Sequence, residues 1–386
     1  MKTIYLAALV LGLASASPQS NLARMADTFI RIGVRKVFYY NEATLYTAFE
    51  AAYNLTGNST LVSWYRDQID DAVVLPDGTI RDWRLDYYSL DDYRIGNNLL
   101  WWYQRTGDAK YRAAADTIRR QLDRHPRTPS GGFWHRAPVY EDQMWLDGIF
   151  MADSFYARWT ALFDGGNATA WDDIARQFDN IESRTRNQTT GLLVHGYDEA
   201  KRAVWADPVT GAAPLVWGRA VGWYFLALTE VIPLMPAAHP GRGRLVRYFV
   251  TLAEGLKKAQ DRGSGGWWLV MSEPYPGRDG NYLESSAAAM FTAGLLRGMK
   301  LGLLETNKFR CTADKAYQDL VERFVTEGED GTITWEGTVQ VGSLSGNGTY
   351  EWFTFSQYYI SIPVVRNDAR GGGAFMLASY EMATLK

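Results

Sequence analysis

The 386-residue sequence predicts an all-α fold in which six helical hairpins close into a ring. First, apolar residues recur at steps of three and four in twelve segments, which is the spacing of one helix face. Second, segments with a charged stripe, such as 110–124, alternate with segments that are apolar nearly all round, such as 284–304. A striped helix faces water and a wholly apolar one is buried, so the alternation predicts an outer and an inner ring.

The third observation is a repeated connection between the helices. The helices are expected at residues 24–37, 42–55, 59–72, 92–106, 108–124, 143–163, 169–184, 217–233, 242–260, 284–304, 309–327 and 371–385. Tight turns such as Thr106-Gly107-Asp108 end one helix at glycine and begin the next at a capping side chain. Longer connections, such as 131–135 and 330–335, carry glycines and aromatic residues, a recurrence typical of a closed toroid.

The N-terminus has the order of a secretory signal peptide. Lys2 precedes an apolar stretch at 4–13, and the small residues Ala14-Ser15-Ala16 follow. We therefore expect residues 1–16 to be removed and residues 17–386 to form a single catalytic domain that is secreted to the extracellular space. Asparagines in N-glycosylation triplets agree with that route and are Asn54, Asn58, Asn167, Asn187 and Asn347.

Composition narrows the class of partner. The net charge of −3 without a lysine or arginine block argues against nucleic acid and against a membrane surface as partners. The only cysteine, Cys311, cannot form an internal disulfide, so the core must stabilise the fold. The 15 Trp and 23 Tyr residues suit either stacking on sugar rings or the packing of a large helical core. We expect a monomer.

Polar and aromatic residues cluster at the starts of the expected inner helices, at 89–94, 143–148, 195–198 and 217–224. Asp147 stands out because its helix face is otherwise apolar, where an unpaired carboxylate is costly. Favourable contact with a helix dipole is the structural alternative for Asp147, and capping is the alternative for Asp91 and Asp92. The four histidines are isolated and no Gly-x-Ser-x-Gly elbow occurs, so we expect neither a metal nor a cofactor.

The stretch 195–224, HGYDEAKRAVWADPVTGAAPLVWGRAVGWY, resembles the signature of the unsaturated rhamnogalacturonyl hydrolases, glycoside hydrolase family 105. Four further motifs also resemble that family and follow in the family's order along the chain: LDxxxxGxxLL at 90–100, GGFWH at 131–135, QMWLDG at 143–148 and NDARGGGAF at 367–375. The resemblance implies an (α/α)6 barrel. It also implies removal of a 4,5-unsaturated uronic acid from lyase-generated oligosaccharides, such as rhamnogalacturonan fragments, by protonation and hydration of the vinyl ether double bond.

The resemblance also implies roles for individual residues. Asp147 corresponds to the general acid and base, and Asp91 to its partner carboxylate, with Asp92 as the alternative partner. Burial and a neighbouring carboxylate would raise the pKa of Asp147. Arg219 would hold the uronate carboxylate, unless it pairs with Asp198 instead. The remaining expected substrate-binding residues are Tyr40, His135, Trp145, His195 and Trp223. Packing of the inner ring is the alternative role for Trp217 and Trp223.

Two other functions are compatible with the residues alone. An inverting glycosidase of the same toroid fold, such as a mannanase, would act on saturated glycans without a preceding lyase. A non-catalytic carbohydrate-binding protein would keep the aromatic residues but would need neither Asp147 nor Asp91. Specificity would depend on the sugar next to the unsaturated residue, because the C4 stereocentre is lost when the double bond forms.

Overall fold

The computed structural model describes residues 16–328, 330–344 and 355–385, and it confirms the all-α fold. The α-helices are α1 Pro18–Ile32, α2 Tyr40–Thr56, α3 Ser59–Ile69, α4 Leu90–Tyr93, α5 Ile95–Thr106, α6 Ala109–Leu122, α7 Leu146–Gly148, α8 Ser154–Phe163, α9 Ala168–Thr185, α10 Gly218–Val231, α11 Pro240–Ala259, α12 Ser285–Lys300, α13 Thr306–Phe324, α14 Phe355–Ser361 and α15 Ala369–Thr384. A π-helical turn, Ile149–Asp153, joins α7 to α8.

Six helices close an inner ring, in which each contacts the next and the last contacts the first: α2, α5, α8, α10, α12 and α15. The outer helices α1, α3, α6, α9, α11 and α13 each precede an inner helix in the chain. Burial follows the predicted alternation, since α12 is buried along almost its whole length whereas α11 buries one face. The architecture is therefore an (α/α)6 barrel, as the sequence predicted.

Three boundaries differ from the prediction for local reasons. The first helix begins at Pro18 rather than residue 24, because Ser17 caps it and proline suits the first helical position. The segment predicted at 92–106 is split at Arg94, between α4 and α5, and the segment predicted at 143–163 begins as strand and passes through the π-helical turn. Helix α14 was not predicted. Such interruptions of regular helix frequently occur at functional sites.

Eight short strands form four antiparallel pairs in the described part of the chain. The pairs are β1 Tyr88–Ser89 with β2 Arg136–Ala137, β3 Gln143–Trp145 with β4 Gly196–Asp198, β5 Val325–Glu327 with β6 Ile333–Trp335, and β7 Thr338–Val339 with β8 Val364–Val365. They lie in the long connections, where the sequence predicted extended segments.

Backbone hydrogen bonds tie the start of an inner helix to the next long connection. The N–H groups donate to carbonyls of that connection in Leu90 to His135, Leu146 to His195, Gly218 to Leu269 and Ser285 to Gly337, over 2.9 to 3.1 Å. The first turns of neighbouring inner helices are thereby held side by side. Polar side chains in those turns consequently meet at one mouth of the barrel.

The opposite turns have the predicted structural role. Gly57 and Gly107 adopt left-handed backbone angles that glycine tolerates, and each ends a helix. The Asn58 and Asp108 side chains then accept the N–H groups of Thr60 and Lys110, each at 3.0 Å. These contacts make the turns tight.

None of the helices between residues 16 and 385 that the structure describes is long and apolar enough to cross a membrane. Cys311 carries a free, exposed thiol. Residues 1–15 of the predicted signal peptide and the acceptor Asn347 lie outside the described residues.

Candidate active site

Asp147 has a specific partner. It lies in the first turn of α7, directly after β3, and its Oδ2 is 3.1 Å from Nε2 of His195. The other ring nitrogen of His195, Nδ1, is 2.8 Å from the hydroxyl of Tyr359. His195 is fully buried, and only 14% of the Asp147 side chain is exposed. His195, which Tyr359 orients, therefore stabilises the buried carboxyl of Asp147.

The pKa of Asp147 lies below its ordinary value, contrary to the expectation from the sequence. Burial by itself raises the pKa of this carboxyl. The charge and hydrogen bond of His195, together with the charge of His135, outweigh burial and favour the carboxylate. The expectation of a raised pKa was wrong because the approach of two histidines depends on strand pairing between distant loops.

Asp91 is the carboxylate that adjoins the same histidines. Its Oδ2 accepts a hydrogen bond from Nη2 of Arg136 at 2.7 Å, and its Oδ1 is 3.6 Å from Nε2 of His135. Burial lowers the pKa of His135, while the charges of both Asp91 and Asp147 raise it. His135 thus lies within the field of both predicted catalytic carboxyls.

Asp92 has a different environment from Asp91. Burial, and then repulsion from Asp91, raise its pKa to about 7. Capping does not account for either residue, since Ser89 occupies the N-cap position of α4. Asp91 therefore lies next to His135, whereas the carboxyl of Asp92 is partly protonated near neutral pH.

Aromatic rings form a continuous stack around the two histidines. His135 stacks on Trp145 with ring centroids 4.2 Å apart, and Tyr140 packs on the same tryptophan at 4.5 Å. His195 stacks on Trp217 at 4.9 Å. Because His135 and Tyr140 pack against its ring, Trp145 forms part of the wall of the barrel mouth. A contact between Trp145 and substrate stays a prediction.

Trp223 belongs to the floor of the mouth. It is almost fully buried, stacks on Phe150 at 4.7 Å and meets Tyr40 edge-on at 6.3 Å. The core-packing alternative from the sequence therefore describes its contacts. A direct contact between Trp223 and a sugar stays a prediction.

Arg219 does not pair with Asp198. Its guanidinium donates hydrogen bonds to the backbone carbonyls of Val339 and Gln340 and lies 4.0 Å from Glu284. Asp198 instead accepts backbone N–H groups of its own loop, from Ala200, Arg202 and Ala203. That alternative for Arg219 was wrong. The two carbonyl acceptors engage two of the five N–H donors of its guanidinium.

A second buried arginine, Arg370, was missed as a site residue although its motif was noticed. It lies in the first turn of α15, where Nη1 donates to the Tyr40 hydroxyl at 3.2 Å and Nε donates to Asp368 at 2.8 Å. Burial and then repulsion from Arg370 lower the pKa of Arg219. Each of these buried cations also has a carboxylate beside it, Asp368 next to Arg370 and Glu284 at 4.0 Å from Arg219, so this part of the mouth is balanced in formal charge. A substrate carboxylate would bind here to guanidinium N–H donors rather than to excess positive charge.

A cavity of about 610 Å³ opens beside Asp91 and Tyr40, between residues 36–41 and 81–92. No group of three or more histidine, cysteine or carboxylate residues in the described ranges is arranged to hold a metal ion. These side chains can directly support acid and base chemistry by Asp147 and hydrogen bonding of a carboxylate by two buried guanidinium groups.

The chain resembles known proteins over almost its full length. Residues 19–386 match the family described as Glycosyl Hydrolase Family 88. A solved glycoside hydrolase from family 105 of C. acetobutylicum is 36% identical, with a TM-score of 0.89 over 94% of this chain and 99% of that one. These matches confirm the family that the sequence motifs predicted.

Two curated enzymes are also related. The unsaturated rhamnogalacturonyl hydrolase YesR of Bacillus subtilis is 27% identical over 259 residues, which are 66% of this chain and 67% of that protein. An unsaturated 3S-rhamnoglycuronyl hydrolase of an Alteromonas species is 25% identical over 313 residues, 76% of this chain and 67% of that protein. The chain therefore belongs to the family described as Glycosyl Hydrolase Family 88, and it is a glycoside hydrolase of the family 105 type.

Proposed function

We propose that this enzyme removes a 4,5-unsaturated uronic acid, an unsaturated galacturonyl residue, from the non-reducing end of lyase-generated oligosaccharides such as rhamnogalacturonan fragments. One observation carries the proposal: Asp147, hydrogen-bonded to His195, lies at a barrel mouth that also holds two buried arginines, Arg219 and Arg370. The reaction requires a carboxyl group that protonates a double bond and guanidinium donors that bind a carboxylate, and these residues can supply both.

In the proposed mechanism Asp147 donates its proton to C4 of the vinyl ether. It then accepts a proton from the water that adds to C5, so the carboxyl group is regenerated. The resulting hemiketal opens and releases the saturated partner. In the free enzyme His195 favours the Asp147 carboxylate, but a uronate that binds nearby adds a like charge and so favours the protonated form. Substrate binding would therefore favour the protonated form of Asp147, which is the form that donates a proton to C4.

The first test follows the double bond itself. Purified enzyme is expected to abolish the ultraviolet absorbance of lyase-treated rhamnogalacturonan, because hydration destroys the conjugation between double bond and carboxylate. The absorbance is measured over time and the released sugars are identified by mass spectrometry. Persistence of the absorbance with every unsaturated disaccharide supplied, whichever sugar adjoins the unsaturated residue, would refute the proposal.

Asp92 favours one alternative, an inverting glycosidase that acts on saturated glycans. A carboxyl with a pKa of about 7 suits the general acid of such an enzyme, and a second carboxylate would activate water. That enzyme would cleave saturated oligosaccharides that no lyase has treated. Release of reducing sugar from such substrates, at rates above those with unsaturated ones, would select this alternative.

We also propose that the protein is secreted after cleavage behind Ala16 and carries N-linked glycans. Cleavage there keeps Ser17, whose hydroxyl accepts the Ser20 N–H at the start of α1. The acceptors Asn54, Asn58 and Asn187 are exposed. Expression in a eukaryotic host should yield extracellular protein that begins at Ser17 and loses mass when N-glycans are removed. Intracellular protein that retains Met1 would contradict this proposal.

A further inference from the structure

The cavity beside Asp91 has a positive charge balance. Its lining contains four cationic side chains, from Lys36, Arg81, Arg84 and Arg136, and three carboxyls, from Asp82, Asp91 and Asp92. With its pKa near 7, Asp92 loses part of its charge in mildly acidic solution, so the balance becomes more positive there. A cavity of this charge attracts anions.

Two of the cations are already engaged. Arg136 donates to Asp91 at 2.7 Å, and Arg81 donates to the backbone carbonyls of Asp71 and Ala72. Neither Lys36 nor Arg84 has a carboxylate hydrogen-bond partner among the described residues, and both are exposed. The charge of Arg84 acts on Asp92, but neither Arg84 nor Lys36 donates a hydrogen bond to a carboxylate, so their N–H donors are available to an anion in the cavity.

Aromatic rings accompany the two available cations. The guanidinium of Arg84 lies over the ring of Tyr87, 4.1 Å from its centroid. On the other side, Phe38 packs against Tyr39 and Trp83 with centroids 5.2 and 5.1 Å apart, and 43% of Tyr39 is exposed. Exposed aromatic surface beside a cation with available N–H donors is suited to a sugar ring that bears a carboxylate.

The position of the cavity relates it to the reaction. Asp91 and Tyr40 line it, and the hydroxyl of Tyr40 accepts a hydrogen bond from Arg370, one of the two buried arginines that would hold the terminal uronate. The cavity therefore adjoins the predicted site of the terminal residue through Tyr40 and Asp91, where the next sugars of a bound chain would lie.

We infer that the cavity is a subsite for a second uronate, located in the oligosaccharide beyond the bond that is cleaved, whose carboxylate pairs with Lys36 and Arg84. The inference rests on the proposed function and specifies its substrate class. The enzyme prefers an acidic oligosaccharide of at least three sugars, in which a uronate recurs, over an unsaturated disaccharide.

The test compares kcat/KM for an unsaturated tetrasaccharide that contains a second uronate with kcat/KM for the corresponding disaccharide. The double variant K36Q/R84Q should lower the ratio of these two values roughly five- to tenfold, because two exposed ion pairs are lost. Added salt should lower the wild-type ratio in the same direction, since screening weakens exposed pairs. A matched control, K258Q/R262Q, removes two exposed cations from a different surface and should leave the ratio unchanged.

The outcomes separate this inference from the proposed function. A wild-type ratio near one, or a ratio that K36Q/R84Q leaves unchanged while both substrates are consumed, would overturn the subsite and leave the proposed function standing. If neither unsaturated substrate is consumed, the proposed function itself fails, and the subsite with it.

Discussion

Replacement of Asp147 by Asn is expected to lower kcat at least about a hundredfold, the usual contribution of a positioned acid, while KM changes little. Asparagine keeps the shape of the side chain and can still contact His195, but it has no proton to donate to C4. Steady-state kinetics on an unsaturated oligosaccharide measure the effect, and calorimetry on the inactive variant measures retained binding. Asp27→Asn, at an exposed position on α1, is the matched control.

Variants of the neighbouring carboxyls show which group donates the proton. Asp91→Asn should also lower kcat, and should shift the pH profile, because Asp91 acts on His135 and so on the charges around Asp147. If Asp147→Asn retains more than about a tenth of the wild-type kcat, Asp147 is not the general acid. Asp92, with its raised pKa, would then be the first residue to replace.

The second large effect is expected at Arg370. Arg370→Gln should lower kcat/KM about a hundredfold, mainly through KM, because loss of one partner of a buried charge pair costs several kcal/mol. The uronate would lose its cation, and Tyr40 would lose the donor that holds its hydroxyl. Arg370→Lys keeps the charge but not the planar fork, so an intermediate loss is expected.

Two controls separate binding from folding at Arg370. Asp368→Asn removes the charge of the carboxylate that pairs with Arg370 but keeps the arginine. Circular dichroism reports whether each variant is folded. Tyr40→Phe removes only the hydroxyl that Arg370 contacts. A folded Arg370→Gln protein whose KM stays within about twofold of wild type would show that the uronate binds elsewhere.

The ring of helices and most of the polar residues at its mouth, though not Arg370, could be predicted from the sequence alone. Helix periodicity, glycine stops and capping side chains act within a few residues, so they can be recognised in one chain. The alternation of 110–124 and 284–304 predicted outer and inner helices, and the structure confirms it. The motifs that contain Asp91, Asp147 and His195 were identified for the same reason, since each is a local string.

The interactions among those residues could not be predicted without the three-dimensional structure. The contact of His195 with Asp147, which reverses the expected pKa shift, depends on pairing between β3 and β4. The carbonyl partners of Arg219 and the approach of Arg370 to Tyr40 likewise join segments far apart in the chain. A pKa or an ion pair depends on distances of a few ångströms and on burial, and neither quantity is encoded in the spacing of residues along a sequence.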